Sequence, residues 1–149
     1  MLINSRLLAA VALLLSLEAS AVQLITESEA SLPPATAAAV NTSRTRGITR
    51  GPGLRVLAPE PATVVKSPFN LKVVFEARGG SSVDPSSVRV SYLRAPSVDL
   101  LDRIKPGLSA GGIELVAAEA PAGEHDILVS LQDSEGRQSS ALIKLRVDK

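Results

Sequence analysis

The stretch 69-FNLKVVFEA-77 places Phe69, Leu71, Val73, Phe75 and Ala77 on one face of an extended chain and Asn70, Lys72 and Glu76 on the other. A period of two belongs to a strand with one buried face, whereas an amphipathic helix would repeat its apolar residues at three and four. The same pattern recurs down the chain. Val88, Val90 and Tyr92 alternate after the turn residues Asp84-Pro85-Ser86, and Ile113, Leu115 and Ala117 form a third apolar row. Ile127, Val129 and Leu131 alternate with Asp126, Ser130 and Gln132, and Ala141, Ile143, Leu145 and Val147 alternate with Lys144 and Arg146. These last two runs are expected to form a hairpin across 133-DSEG-136, with the Asp133 side chain opening the turn and Gly136 ending it.

Two segments fit the alternation less simply. In 54-LRVLAPEPATVVKSP-68, Pro59 and Pro61 lack the amide donor of a ladder, so this reads as an edge strand that kinks and changes sheet. In 94-RAPSVDLLDRIKPG-107, Leu100, Leu101 and Ile104 have helical spacing but the run stops at Pro106-Gly107, which leaves room for one turn of helix or a poorly formed strand. Short strands separated by turn signals at this spacing predict an all-β domain over residues 54–149. The expected architecture is an immunoglobulin-like sandwich of about seven antiparallel strands.

The amino-terminal third is different in kind. Arg6 precedes an apolar run from Leu7 to Leu17, and Ala19-Ser20-Ala21 supplies the small residues of a cleavage site, so residues 1–21 read as a signal peptide cut after Ala21. Glu18 closes the apolar run too early for a membrane span. Residues 22–53 are rich in Ala, Ser, Thr and Pro with little periodicity and read as a flexible low-complexity spacer, with a short helix possible at Ala35–Val40. Arg44, Arg46, Arg50 and Arg55 form a loose basic cluster that could touch anionic envelope polymer or lipid headgroups but lacks interleaved aromatics for stacking on bases, and it is expected to be a solvated part of the spacer. Asn41-Thr42-Ser43 is a glycosylation sequon, set aside as chance in a bacterial reading.

Composition narrows the chemistry. With 16 basic and 15 acidic residues the formal net charge is +1, so no long-range field favours nucleic acid or an anionic membrane. There is no cysteine, which removes disulfides, thiolate metal sites, cysteine nucleophiles and a lipid-modified cysteine. An exported domain without disulfides suits a bacterial periplasm.

Residues 54–92 and 120–147 resemble the opening and closing halves of bacterial immunoglobulin-like domains of the fibronectin type III-like kind. The resemblance spans Leu54 to Val147. In that family a Pro-x-Gly-x-Tyr run often opens the penultimate strand, and its tyrosine makes a structural corner through the hydroxyl. Pro121, Gly123 and His125 match the run with histidine in the tyrosine's place, so the resemblance implies a structural corner at these residues in which an imidazole nitrogen substitutes for the hydroxyl.

His125 is the only histidine, and no second histidine or cysteine completes a transition-metal set, so no metal site is expected. Copper-carrying sandwiches place a histidine near the mature amino terminus, where this chain has Val22-Gln23-Leu24. Ser130 and Ser139 lack a nucleophile elbow, and Asp126, Asp133 and Glu135 read as strand-face and turn carboxylates rather than a glycosidase pair. The turn 133-DSEGRQS-139 is too sparse in oxygen ligands for a calcium loop, and no P-loop lysine follows Gly79-Gly80. No catalytic residue and no cofactor is expected. The functional expectation is a non-catalytic exported module for protein–protein interaction or structural support in the cell envelope. A carbohydrate- or cell-wall-binding module is the alternative, and an accessory domain of an envelope enzyme system comes third. The expected partner is another envelope or extracellular protein.

Overall fold

The computed structural model describes residues 20–38 and 50–149. The charged leader and apolar run, the sequon, Arg44 and Arg46 lie outside the described residues, as does part of the anticipated helix at Ala35–Val40. Among the described residues ten strands are arranged in two sheets. The first has the order β1 (Val22–Gln23), β8 (Gly112–Glu119), β4 (Phe69–Glu76), β2 (Gly53–Ala58), with β7 (Leu108–Ser109) also on β8. The second has the order β3 (Val64–Lys66), β10 (Gln138–Asp148), β9 (Gly123–Gln132), β5 (Arg89–Tyr92), β6 (Val98–Asp99). Short helices α1 (Glu27–Ala30) and α2 (Leu101–Ile104) lie between strands.

The alternation read from the sequence is the packing. Phe69, Leu71, Val73 and Phe75 of β4 are buried facing Val88, Val90, Tyr92, Ile127, Val129, Leu131, Ile143, Leu145 and Val147 in one core cluster. Ala77 falls just beyond the end of β4 and is exposed. The proline-rich segment does change sheet: β2 pairs antiparallel with β4, and after Pro59 and Pro61 the chain resumes as β3, parallel to the end of β10. In β8 the row Ile113, Leu115, Ala117 breaks at a bulge. Phe69 faces Ala118 while Leu71 faces Leu115, so β8 carries one extra residue here. Ala117 absorbs it at φ +60°, and Ala118 takes the buried place. The 94–107 segment divides into the two-residue β6 and the single turn α2, followed by a 3-10 turn.

Two expectations need correction. The sheets are mixed rather than wholly antiparallel, since β3 runs parallel to β10 and β1 parallel to β8, and the described residues form ten strands where about seven were expected. The extra pieces, β1, β3 and β7, are short segments of two or three residues, below the length at which alternation is visible. The spacer expected over residues 22–53 is also wrong for Val22–Ala35, and the domain does not begin at Leu54. This segment is a strap laid against the two-sheet core. Val22 and Gln23 pair with Ala118 and Glu119, and the Leu24 amide donates to the Glu119 carbonyl at 2.8 Å. Leu24 and Ile25 then enter the core with 0% and 1% of their surface exposed. Burying two such side chains contributes roughly 3 to 6 kcal/mol before chain ordering is charged against it, which is why a segment of mostly small residues stays docked.

Polar contacts hold the strap on both sides of this plug. Thr26 caps α1 through a capping box, its Oγ1 accepting from the Glu29 amide and the Glu29 carboxylate accepting from the Thr26 amide. Both Glu29 oxygens also accept from Arg103 of α2, at 2.6 and 2.7 Å, and Arg103 donates to the Leu24 carbonyl at 2.9 Å. This pairing holds the Glu29 carboxyl down to about 2. Farther along, the Ala95 amide donates to the Pro33 carbonyl at 2.9 Å and Pro34 bridges to Arg94.

Candidate functional site

His125 enters β9 opposite Leu145 of β10 and its side chain is 2% exposed. Gly123 precedes it at φ +133°, a backbone state closed to most side chains, and turns the chain from Pro121 into the strand. The imidazole Nε2 lies 2.7 Å from the Pro121 carbonyl oxygen, which can only accept, so Nε2 carries the proton. Nδ1 lies 2.9 Å from the Tyr92 hydroxyl, and the two rings meet edge to face with centroids 5.6 Å apart. The hydroxyl oxygen itself accepts from Arg94 Nε at 2.7 Å. One arrangement satisfies every donor: Arg94 donates to Tyr92, Tyr92 donates to His125 Nδ1, and His125 Nε2 donates to Pro121.

The electrostatics agree with this direction. Burial pushes the His125 pKa below its ordinary value, and the Arg94 charge adds to the effect against the Pro121 bond and Asp126, so the ring is neutral. Burial likewise raises the Tyr92 hydroxyl above its ordinary range, and it remains a donor. Arg94 stacks over the Tyr92 ring at 5.0 Å and its remaining nitrogens reach the carbonyls of Leu32 and Glu124, both at 3.4 Å. The chain of bonds therefore links β5, β9 and the strap.

A cleft of about 330 Å³ opens at this corner, lined by Pro34 and Ala35 of the strap together with Leu93, Arg94, Asp126 and Lys144. Glu124 and Arg146, also in the lining, form an ion pair at 3.0 Å. Its walls are charged and contain no exposed ring. No family model, curated protein or solved structure matches this chain. The reading of the site therefore rests on its own geometry.

The other sequence candidates separate cleanly. Asp133 is buried at the tip of the β9–β10 hairpin, Oδ1 accepting from the amides of Glu135 and Arg137 and Oδ2 pairing with Arg137 Nε at 2.8 Å. Burial works against its charge, but these bonds outweigh it and hold the carboxyl below its ordinary value. Gly136, at φ +78°, donates its amide to the Asp133 carbonyl and ends the turn. Ser130 and Ser139 cannot serve His125 as nucleophiles: Ser130 is five residues along β9, roughly 17 Å away, and Ser139 sits opposite Leu131, farther still. Among the described residues no group of three His, Cys, Asp or Glu side chains could hold a metal. The sequence pointed to Pro121, Gly123 and His125, but not to Tyr92 and Arg94 as the other half of the corner. Tyr92 reads simply as a core residue, and nothing in the chain around Arg94 marks it.

Proposed function

We propose that this chain is a non-catalytic, exported immunoglobulin-like module of the bacterial envelope that works by contact with another protein. The strand order supports the fold assignment. β2, β4 and β8 correspond to strands A, B and E of such a domain, and β3, β10, β9, β5 and β6 to A′, G, F, C and C′. β7 and β1 pair with opposite ends of β8, next to which strand D runs in the constant-type domain. Export is supported by the sequence of the leader, whose apolar run ends at the small-residue motif Ala19-Ser20-Ala21. Among the described residues no helix is long and apolar enough to cross a membrane.

The observation that carries the choice of partner is the fate of the aromatic residues. The chain has two phenylalanines, one tyrosine and no tryptophan. Phe69, Phe75 and Tyr92 are all buried in the core, so no ring is left to stack on a sugar face. Protein contact needs no such platform: the edges β2, β3 and β6 offer unpaired backbone groups, and Leu57 and Val64 are exposed beside the crossover between β2 and β3. Crosslinking in intact cells followed by mass spectrometry, run beside a peptidoglycan and glycan pull-down, tests the reading. A specific crosslinked protein with no glycan retention supports it. Saturable glycan binding without a protein partner overturns it.

A further inference from the structure

We propose that the bonded series Arg94–Tyr92–His125–Pro121 is a proton-operated clasp on the second half of the strap, so that protonating His125 frees Leu32–Ala35 and widens the cleft they wall. The geometry leaves a protonated ring no place in the closed arrangement. Nε2 already donates to Pro121, so an added proton must sit on Nδ1 and point at the Tyr92 oxygen. That oxygen already accepts from Arg94, so the hydroxyl proton loses its acceptor inside the core and two cations share one oxygen. Arg94 is the member that can leave, because it lines the cleft without being buried, whereas Tyr92 and His125 are held in the core at 0% and 2% exposure. Its departure removes the guanidinium bond to the Leu32 carbonyl and leaves the second half of the strap held by the backbone bridge at Pro34 and the Ala95–Pro33 bond alone.

The charged groups around the ring do not cancel this. Arg94 beyond β5 opposes the imidazolium, and Asp126 of β9 favours it less strongly. Glu124 of β9 is already paired with Arg146 of β10, and Lys144 of β10 adds a further positive charge to the cleft. Glu29 of α1 acts on the corner only through Tyr92. The opened state binds the proton more readily than the closed one, so opening grows as the pH falls below the ordinary histidine value of 6.5. The first half of the strap does not follow, because the Glu29–Arg103 pair stays ionised until far more acid conditions.

Two amides report on the two halves: Ala95, bonded to the Pro33 carbonyl, and Leu24, bonded to the Glu119 carbonyl. Amide exchange measured by NMR between pH 7.5 and 5, corrected for intrinsic rates, is expected to show Ala95 losing about tenfold in protection relative to Leu24. The loss should follow the titration of the His125 ring, which is unambiguous because the chain has one histidine. In His125→Phe and in Tyr92→Phe the ratio should be flat with pH. A constant ratio in the wild type, a ring titrating at or above the ordinary value, or the same acid-dependent loss in His125→Phe overturns the proposal. If neither variant folds, the wild-type ratio and ring titration decide it alone.

Discussion

Leu24→Ala separates a docked strap from a spacer more sharply than any other substitution. Leu24 is fully buried, and its truncation removes the equivalent of about three methylenes, a transfer loss of roughly 2.4 kcal/mol. A cavity term adds to this to the extent that the site does not collapse. Here collapse is restrained on both sides of the residue, since the Leu24 amide is bonded to Glu119 and its carbonyl to Arg103. The expected cost is about 3 to 4 kcal/mol, in the middle of the range for such truncations. For a domain of this size that lowers the melting temperature by roughly 10 °C. The control is Leu57→Ala, the same chemical change at a residue 44% exposed on edge strand β2, where about 0.5 kcal/mol is expected. Urea and thermal unfolding of both variants at pH 7 make the comparison. The cost at Leu24 cannot exceed the free energy with which the strap docks, because a strap weakened beyond that detaches and the rest of the domain stays folded. Combining Leu24→Ala with Glu29→Gln measures that ceiling, since a double variant no worse than Leu24→Ala alone marks a strap already released. A Leu24→Ala cost indistinguishable from that of Leu57→Ala would refute the strap.

Glu29→Gln keeps the capping geometry and removes the charge paired with Arg103. With Glu29 held at about 2 against an ordinary 4.5, and both side chains partly exposed, the loss at pH 7 should be roughly 1 to 2 kcal/mol. A depressed carboxyl stabilises above its ordinary value and loses that contribution as pH falls toward its folded value. Melting curves of wild type and variant should therefore converge between pH 4.5 and 2. Ala117→Gly relieves a non-glycine residue at φ +60° in the β8 bulge and should stabilise by roughly 0.5 to 1 kcal/mol in urea unfolding. Asp133→Asn keeps an oxygen for the Glu135 and Arg137 amides but loses the ion pair with Arg137, so it should melt lower than wild type at pH 7. That gap should narrow as pH falls below the ordinary aspartate value of 3.8.

What the sequence disclosed and what it hid follow from how many residues each contact uses. β4, β5, β9 and β10 each present at least two inward side chains in alternation, and the β9–β10 hairpin adds a turn whose aspartate and glycine act locally. Such elements are visible because their signal repeats. β8 shows the limit, since one inserted residue at Ala117 moves the following side chain to the other face and no propensity marks the place.

The strap was invisible for the same reason carried further. Its hold on the core is the adjacent pair Leu24-Ile25, which has neither a strand's nor a helix's period, and its partners Glu119, Arg103 and Ala95 lie more than sixty residues away. One local sign was present in Thr26-Glu27-Ser28-Glu29, the Thr-x-x-Glu of a capping box, which argues for an ordered turn inside a segment otherwise composed like a linker. The corner at His125 divides along the same line. The bond to Pro121 spans four residues and was readable as a motif, whereas the bond to Tyr92 spans thirty-three and needed the pairing of β5 with β9. That long-range half makes the corner sensitive to protons. A histidine bonded only to Pro121 could take a second proton on a free Nδ1, but one whose Nδ1 is held by a tyrosine already serving Arg94 cannot do so without parting with the arginine.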